Sequence, residues 1–191
     1  MKRLYVLGML LIGNALIGSG TAALSEEALT EDRIAAIFFD AARAGRTDIL
    51  KDLIEAGAPV DARDSNAYTA LILVAYSGHL DTLEYLIEAG ADSCAADKDG
   101  NTALMGVAFK GHDRIASRLL EEDCAVDAEN KAGQTALMMA SLFGRSAQVT
   151  MLKAAGANAE HADRLGNTTV TLAQQQGNDA MVQLLTSDGG H

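Results

Sequence analysis

Four histidines and two cysteines are the side chains of this 191-residue chain with the most chemistry to offer. Imidazole ligates zinc and serves as a general base, and thiolate ligates zinc or forms disulfides. His79 and His112 each directly follow a glycine and lie 33 residues apart. His161 and the terminal His191 have no cysteine or carboxylate cluster at ligand spacing. No Gly-x-Ser-x-Gly, Walker loop, His-Glu-x-x-His or dinucleotide fingerprint occurs. The reading is no catalytic residues, no metal ligands and no cofactor. A hydrolytic or metal-dependent enzyme would rest only on scattered His and acidic residues.

The elements that position those histidines are copies of one unit. Gly45, Gly78, Gly111, Gly144 and Gly177 fall 33 residues apart, and five equally spaced glycines require a repeat. Aligned on them, TALILVAYSG from Thr69 overlies TALMGVAFKG from Thr102, TALMMASLFG from Thr135 and TTVTLAQQQG from Thr168. A divergent earlier copy, AIFFDAARAG, begins at Ala36. A second apolar-periodic stretch follows each, such as DTLEYLIEAGA from Asp81, and leads to Gly57-Ala58, Gly90-Ala91 and Gly156-Ala157. The third copy has Asp123-Cys124 at that place.

Each position has a local reason. The hydroxyls of Thr69, Thr102, Thr135 and Thr168 suit helix N-caps, and the glycines at 78, 111, 144 and 177 suit a left-handed helix stop. Gly100, Gly133 and Gly166 precede the capping Thr by two residues, in a connecting hairpin, whereas Ala67 breaks that pattern and predicts a different turn. In the second helices Ile49, Leu50, Leu53 and Ile54, then Leu83, Leu86 and Ile87, then Ile115, Leu119 and Leu120 recur at helical spacing and are the expected core. Gln174, Gln175, Gln176, Asn178, Asp179 and Gln183 make the last copy polar, as the end of a stack must be.

In its period, its Thr-x-Leu helix start, its mid-unit Gly and the Gly-Ala-Asp stretch after the second helix, residues 31 to 186 resemble the ankyrin repeat. The resemblance implies an all-α solenoid of about five helix-turn-helix modules with short β-hairpin loops. The modules are placed at about 31–63, 64–96, 97–129, 130–162 and 163–186, within a repeat domain of 24–186. It also implies that His79 and His112 are turn residues. Stacked helices lie about 8–10 Å apart, too far for the two to share one zinc. Ala70, Ala103 and Ala136 stand where the family has Pro, and Ile72, Met105 and Met138 where it has His. The family's hydroxyl–imidazole bond is thereby lost, which predicts weaker modules on the same fold.

Lys2 and Arg3 precede an apolar run from Leu4 to Ile17 and the small residues Gly18 to Ala23, the layout of a secretory signal peptide. The run falls short of the roughly 20 residues that span a bilayer, so a signal at 1–23 cleaved after Ala23 is expected rather than an anchor. The destination is then the periplasm or the medium, with 187–191 a disordered tail. In an oxidising compartment Cys94 and Cys124 could pair, through a bridge spanning adjacent modules with a three-residue offset. The alternative is two thiols, buried at 124 and half-exposed at 94.

Acidic residues number 26 against 15 Lys and Arg, and loss of Lys2 and Arg3 leaves 26 against 13, a net of −13. Such a field disfavours nucleic acid and anionic membranes, although it also serves plain solubility. By the resemblance, partners are proteins gripped on the concave side by hairpin tips and the ends of the first helices. Tyr76, Phe109, Lys110, Leu142 and Phe143 occupy those helix ends, and Tyr68, Lys98 and Asp99 the tips, with Lys131 and Arg164 further along. Tyr68, Tyr76, Phe109, Leu142 and Phe143 are the candidate hot spots, the competing reading being that they pack within the stack. The expected function is a monomeric, non-catalytic protein-binding module, serving as an accessory or protective factor for a periplasmic enzyme of the oxidative-stress type. An immunity or inhibitor protein against a toxin is the alternative.

Overall fold

Five threonines start the first helix of five successive hairpins. In the computed structural model, which describes residues 30–187, the hydroxyls of Thr30, Thr69, Thr102, Thr135 and Thr168 accept from the backbone N–H three residues on. The leader at 1–23, the tail beyond Ser187 and His191 lie outside the described residues. The helices are α1 (Glu31–Arg43) and α2 (Thr47–Glu55), α3 (Ala70–Ser77) and α4 (Leu80–Glu88), α5 (Ala103–Lys110) and α6 (Asp113–Leu119), α7 (Ala136–Leu142) and α8 (Ser146–Ala154), and α9 (Thr169–Gln175) and α10 (Asp179–Thr186). Where Ile72, Met105 and Met138 replace the expected His, the cap stands on its backbone bond at 3.3–3.4 Å. Thr168 gains a reciprocal bond instead, its N–H donating to the Thr171 hydroxyl at 2.7 Å.

The pairs stack in chain order. First helices pack α1 on α3, α3 on α5, α5 on α7 and α7 on α9, and second helices follow in the same sequence. Ala42, Ala75 and Ala108 are wholly buried in the first-helix row, where a small side chain lets neighbouring backbones approach. Leu86, Leu119, Leu152 and Leu185, at matching module positions, form a buried spine through the second helices. Each contributes about 1.5–3 kcal/mol on removal from water. Ile49, Leu53, Ile54, Ile87 and Leu120, expected in the core, are only half-buried, because they stand beside that spine.

The third module departs from its siblings. Asp123 stands where Gly90 and Gly156 take positive φ, and α6 ends at Leu119, two residues short of the matching end of α4. There Cys124 is disulfide-bonded to Cys94 in the preceding module, with Cα atoms 5.4 Å apart. Glu122 reinforces the link, accepting from Arg118 at 2.6 Å and from the Ser93 hydroxyl at 3.3 Å. At the C-terminal end, the Lys153 ammonium donates to the carbonyls of Leu184, Leu185 and Ser187 at 2.8–3.0 Å and closes α10. The three glutamines of α9 and its turn are exposed, so the stack ends on a hydrated face.

Candidate protein-binding face

The hairpin tips are built by one device. Asp64, Asp97, Asn130 and Asp163 each turn a side-chain oxygen onto backbone N–H groups two and four residues on, at 2.8–3.0 Å. Ala67 corrects the sequence expectation. It adopts φ +60°, and its N–H bonds to Asp64 O at 2.8 Å as Gly100 bonds to Asp97 O at 3.0 Å. The same turn forms with or without glycine, because the aspartate clamp on its flanks fixes the backbone. Bonds from Asn167 and the amides lower the Asp163 pKa.

The tips are also tied to one another. The N–H of Lys98 donates to Asn66 O at 2.8 Å, that of Lys131 to Asp99 O at 2.8 Å, and that of Arg164 to Ala132 O at 3.0 Å. Lys98, Lys131 and Arg164 therefore recur in register, one per module, all three exposed. Asp99 is exposed beside them, with its carboxylate 4.0 Å from the Lys131 ammonium.

Next to the tips, the ends of α3 and α5 and the turn after α7 form an aromatic row. Tyr76, Phe109 and Phe143 are 43%, 37% and 41% exposed. The Tyr76 and Phe109 rings stack at 6.1 Å and 12°, and Phe143 meets Phe109 edge-on at 4.4 Å. Lys110 places its ammonium 4.8 Å from the Tyr76 ring centre, a cation–π contact. A groove of about 200 Å³ runs between row and tips, walled by Tyr68, Tyr76, Asp97, Asn101 and Phe109 and floored by Ile72, Met105, Gly106 and Met139. Tyr68 is half-buried, and burial together with the charges of Asp97, Asp64 and Asp99 raises its pKa. Leu142 is half-buried and does not line this groove.

Two features escaped the sequence reading. Gly106 stands where the neighbouring modules have Leu73 and Met139, so α5 lacks a large side chain beside Tyr76. Leu165, at the outermost tip beside Arg164, is 88% exposed. Both were legible as breaks in the repeat: a glycine in an apolar row and an apolar residue on a polar tip.

The histidines do structural work. His79 Nε2 bonds to Arg43 O at 3.0 Å and His112 Nε2 to Tyr76 O at 3.2 Å, and Arg145 reaches Phe109 O at 3.1 Å from the same module position. His161 meets Gly133 O at 3.0 Å. Among the described residues no group of three His, Cys, Asp or Glu is placed to hold a metal, and no helix is long and apolar enough to cross a membrane.

A stack of paired helices with clamped tips and an open aromatic face defines a helical-repeat binding scaffold. The family model for ankyrin repeats (3 copies) matches residues 38–130 and 104–191, and the chain belongs to the ankyrin-repeat family. No curated protein matches it. Ankyrin repeats are protein–protein interaction modules and typically non-catalytic.

Proposed function

We propose that this chain is an exported binding module that grips one protein partner on its concave face, as an accessory or protective factor for a periplasmic or secreted enzyme. The observation that carries the binding reading is the row of Tyr76, Phe109 and Phe143, three large rings left about two-fifths exposed, the first two of which wall an open groove. Aligned apolar surface of this kind stays uncovered at a cost in solubility, and buried aromatic anchors dominate interface energetics. The export reading rests on Lys2, Arg3 and the apolar run to Ile17.

Affinity capture from the native source with wild type and a Tyr76→Ala, Phe109→Ala, Phe143→Ala variant tests the first part. Loss of the partner at unchanged helicity is expected; undiminished capture would reject this face. N-terminal sequencing of protein recovered outside the cytoplasm tests the second, with a new terminus after Ala23 expected and an intact Met1 overturning it.

A further inference from the structure

We infer that the Cys94–Cys124 bond is a reversible latch on the seam between the second and third modules, opened by a dithiol reductant that attacks Cys94. The inference is independent of the docking proposed above.

The bond occupies a place that the flanking seams fill without sulfur. Asp61 of the first module accepts from the N–H of Asp92 in the second at 2.9 Å. Asp127 of the third accepts from the N–H of Asn158 in the fourth at 3.0 and 3.1 Å. Cys94 lies 33 residues after Asp61 and 33 before Asp127, and Ala125 holds the same relation to Asp92 and Asn158. At the central seam the carboxylate clamp therefore gives way to a disulfide between Cys94 and Cys124, the residue beside Ala125. A carboxylate on an amide is indifferent to thiols, whereas a disulfide exchanges with them. The chain has two cysteines, so this seam alone answers to a reductant.

Access selects the sulfur. Cys94 is exposed and Cys124 half-buried, and both border a cavity of about 250 Å³ lined by Leu104, Leu119, Leu120 and Val126. A thiolate of the reductant attacks Cys94 Sγ, the bond between the two sulfurs breaks, and Cys124 leaves with the electron pair as a thiolate. The reductant's second thiol, losing its proton to water, then attacks the mixed disulfide. Cys94 is released as a thiolate, and the reductant departs as a disulfide, oxidised by two electrons.

The opening is local. Ile115, Ala116 and Leu119 remain buried and keep α6 against its neighbours. The loops around 92–95 and 120–125 lose their covalent tie, which leaves the Ser93 hydroxyl on Glu122 at 3.3 Å to hold them beside the cavity. Exposed disulfides that bridge such loops belong to the labile, regulatory kind.

Amide exchange of the full chain with and without dithiothreitol tests this. Exchange at 92–95 and 120–125 is expected to rise at least about tenfold on reduction, to fall back on reoxidation, and to stay unchanged in the terminal modules. Cys94→Asp, Cys124→Ala gives the central seam the residues of its neighbours. This variant, with helicity checked, is expected to keep those amides protected whether or not dithiothreitol is present. Unchanged exchange in the reduced wild type, protection lost throughout the stack, or an aspartate variant as open as reduced wild type overturns the latch. The attacked sulfur is found by incubating the chain with a dithiol oxidoreductase whose second cysteine is replaced by serine, quenching with acid and mapping the adduct. Attachment to Cys94 is expected; attachment to Cys124, or none, overturns the assigned site.

Discussion

The His79 ring lies against the Cα of Gly45 in the preceding module. A Cβ built there would sit 2.5 Å from His79 Cγ, while His79 Nε2 bonds to Arg43 O at 3.0 Å. A carbonyl only accepts, so Nε2 carries the proton in this contact. The next pair repeats it, with a Gly78 Cβ 2.8 Å from the His112 ring and a bond to Tyr76 O. The turn glycine thus serves both its own positive φ and the next module's reach across the seam.

Gly45 and Gly144 separate those two roles. Both have φ near +65°, but a Cβ on Gly144 meets nothing within 4 Å. Gly144→Ala should lose about 1–2 kcal/mol from backbone strain alone. Gly45→Ala should lose about 1 kcal/mol more as His79 is displaced from its bond. Urea unfolding of the two variants decides; equal midpoints would show that the seam does not feel the ring.

Position 112 should accept a longer donor. Arg145 makes the same backward bond one module later, so His112→Arg is expected to unfold close to wild type. His112→Ala, which leaves Tyr76 O without this donor, should lose about 1 kcal/mol. If thermal melts ranked Ala at or above Arg, the seam bond would contribute nothing.

Much of this architecture was legible because it is periodic. The 33-residue glycine interval, the threonine caps and the leucine spine all follow from one unit that must stack on itself. What escaped is what differs between copies. Ala67 departs from the glycine pattern of the other tips, yet Asp64 holds the same turn from outside it. Gly106 is visible in sequence as a glycine in an apolar row, but only stacking on α3 brings Tyr76 beside it. Histidine spacing showed that the rings are equivalent, but their acceptors lie in the preceding module, beyond local sequence reach.

The Cys94–Cys124 bond should stabilise the middle of the stack. It closes a loop of sequence separation 30, for which chain entropy gives about 3–4 kcal/mol. Asp123 replaces the helix-stop glycine there and α6 is cut short, so the disulfide and the Arg118–Glu122–Ser93 bridge hold the end of the third module to its neighbour. Cys94→Ser, Cys124→Ser is expected to lower the urea midpoint and to raise amide exchange first around 92–95 and 120–125. Exchange that rises first at the terminal modules would place the weak point elsewhere.

Asp163 gives one tip a pH dependence. Its pKa is held below the ordinary 3.8 by bonds from Asn167 and the amides of Asn167 and Leu165. A carboxylate lowered on folding contributes stability that is complete above the unfolded value and lost as pH falls through the folded one. Asn130 forms the same clamp in the preceding tip without a charge. Asp163→Asn should therefore keep the turn at neutral pH and lose less stability than wild type below about pH 4. Unfolding curves at pH 7 and pH 3 check this, and parallel losses in both proteins would remove the titration from Asp163.

Gly106 sets stability against binding. Glycine inside a helix is about 0.5–1 kcal/mol worse than alanine, and an added Cβ meets Tyr76 Cδ2 at 3.4 Å, an ordinary contact. Gly106→Ala should raise stability by about that amount. Gly106→Leu restores the side-chain type found at Leu73, keeps the stack folded and fills the groove floor between Tyr76 and Phe109. Partner capture should then fall at least about tenfold, since a core anchor typically contributes 2 kcal/mol or more. A leucine variant that is both stable and fully able to bind would show that the space beside Tyr76 is an incidental gap in packing rather than the seat of a partner side chain.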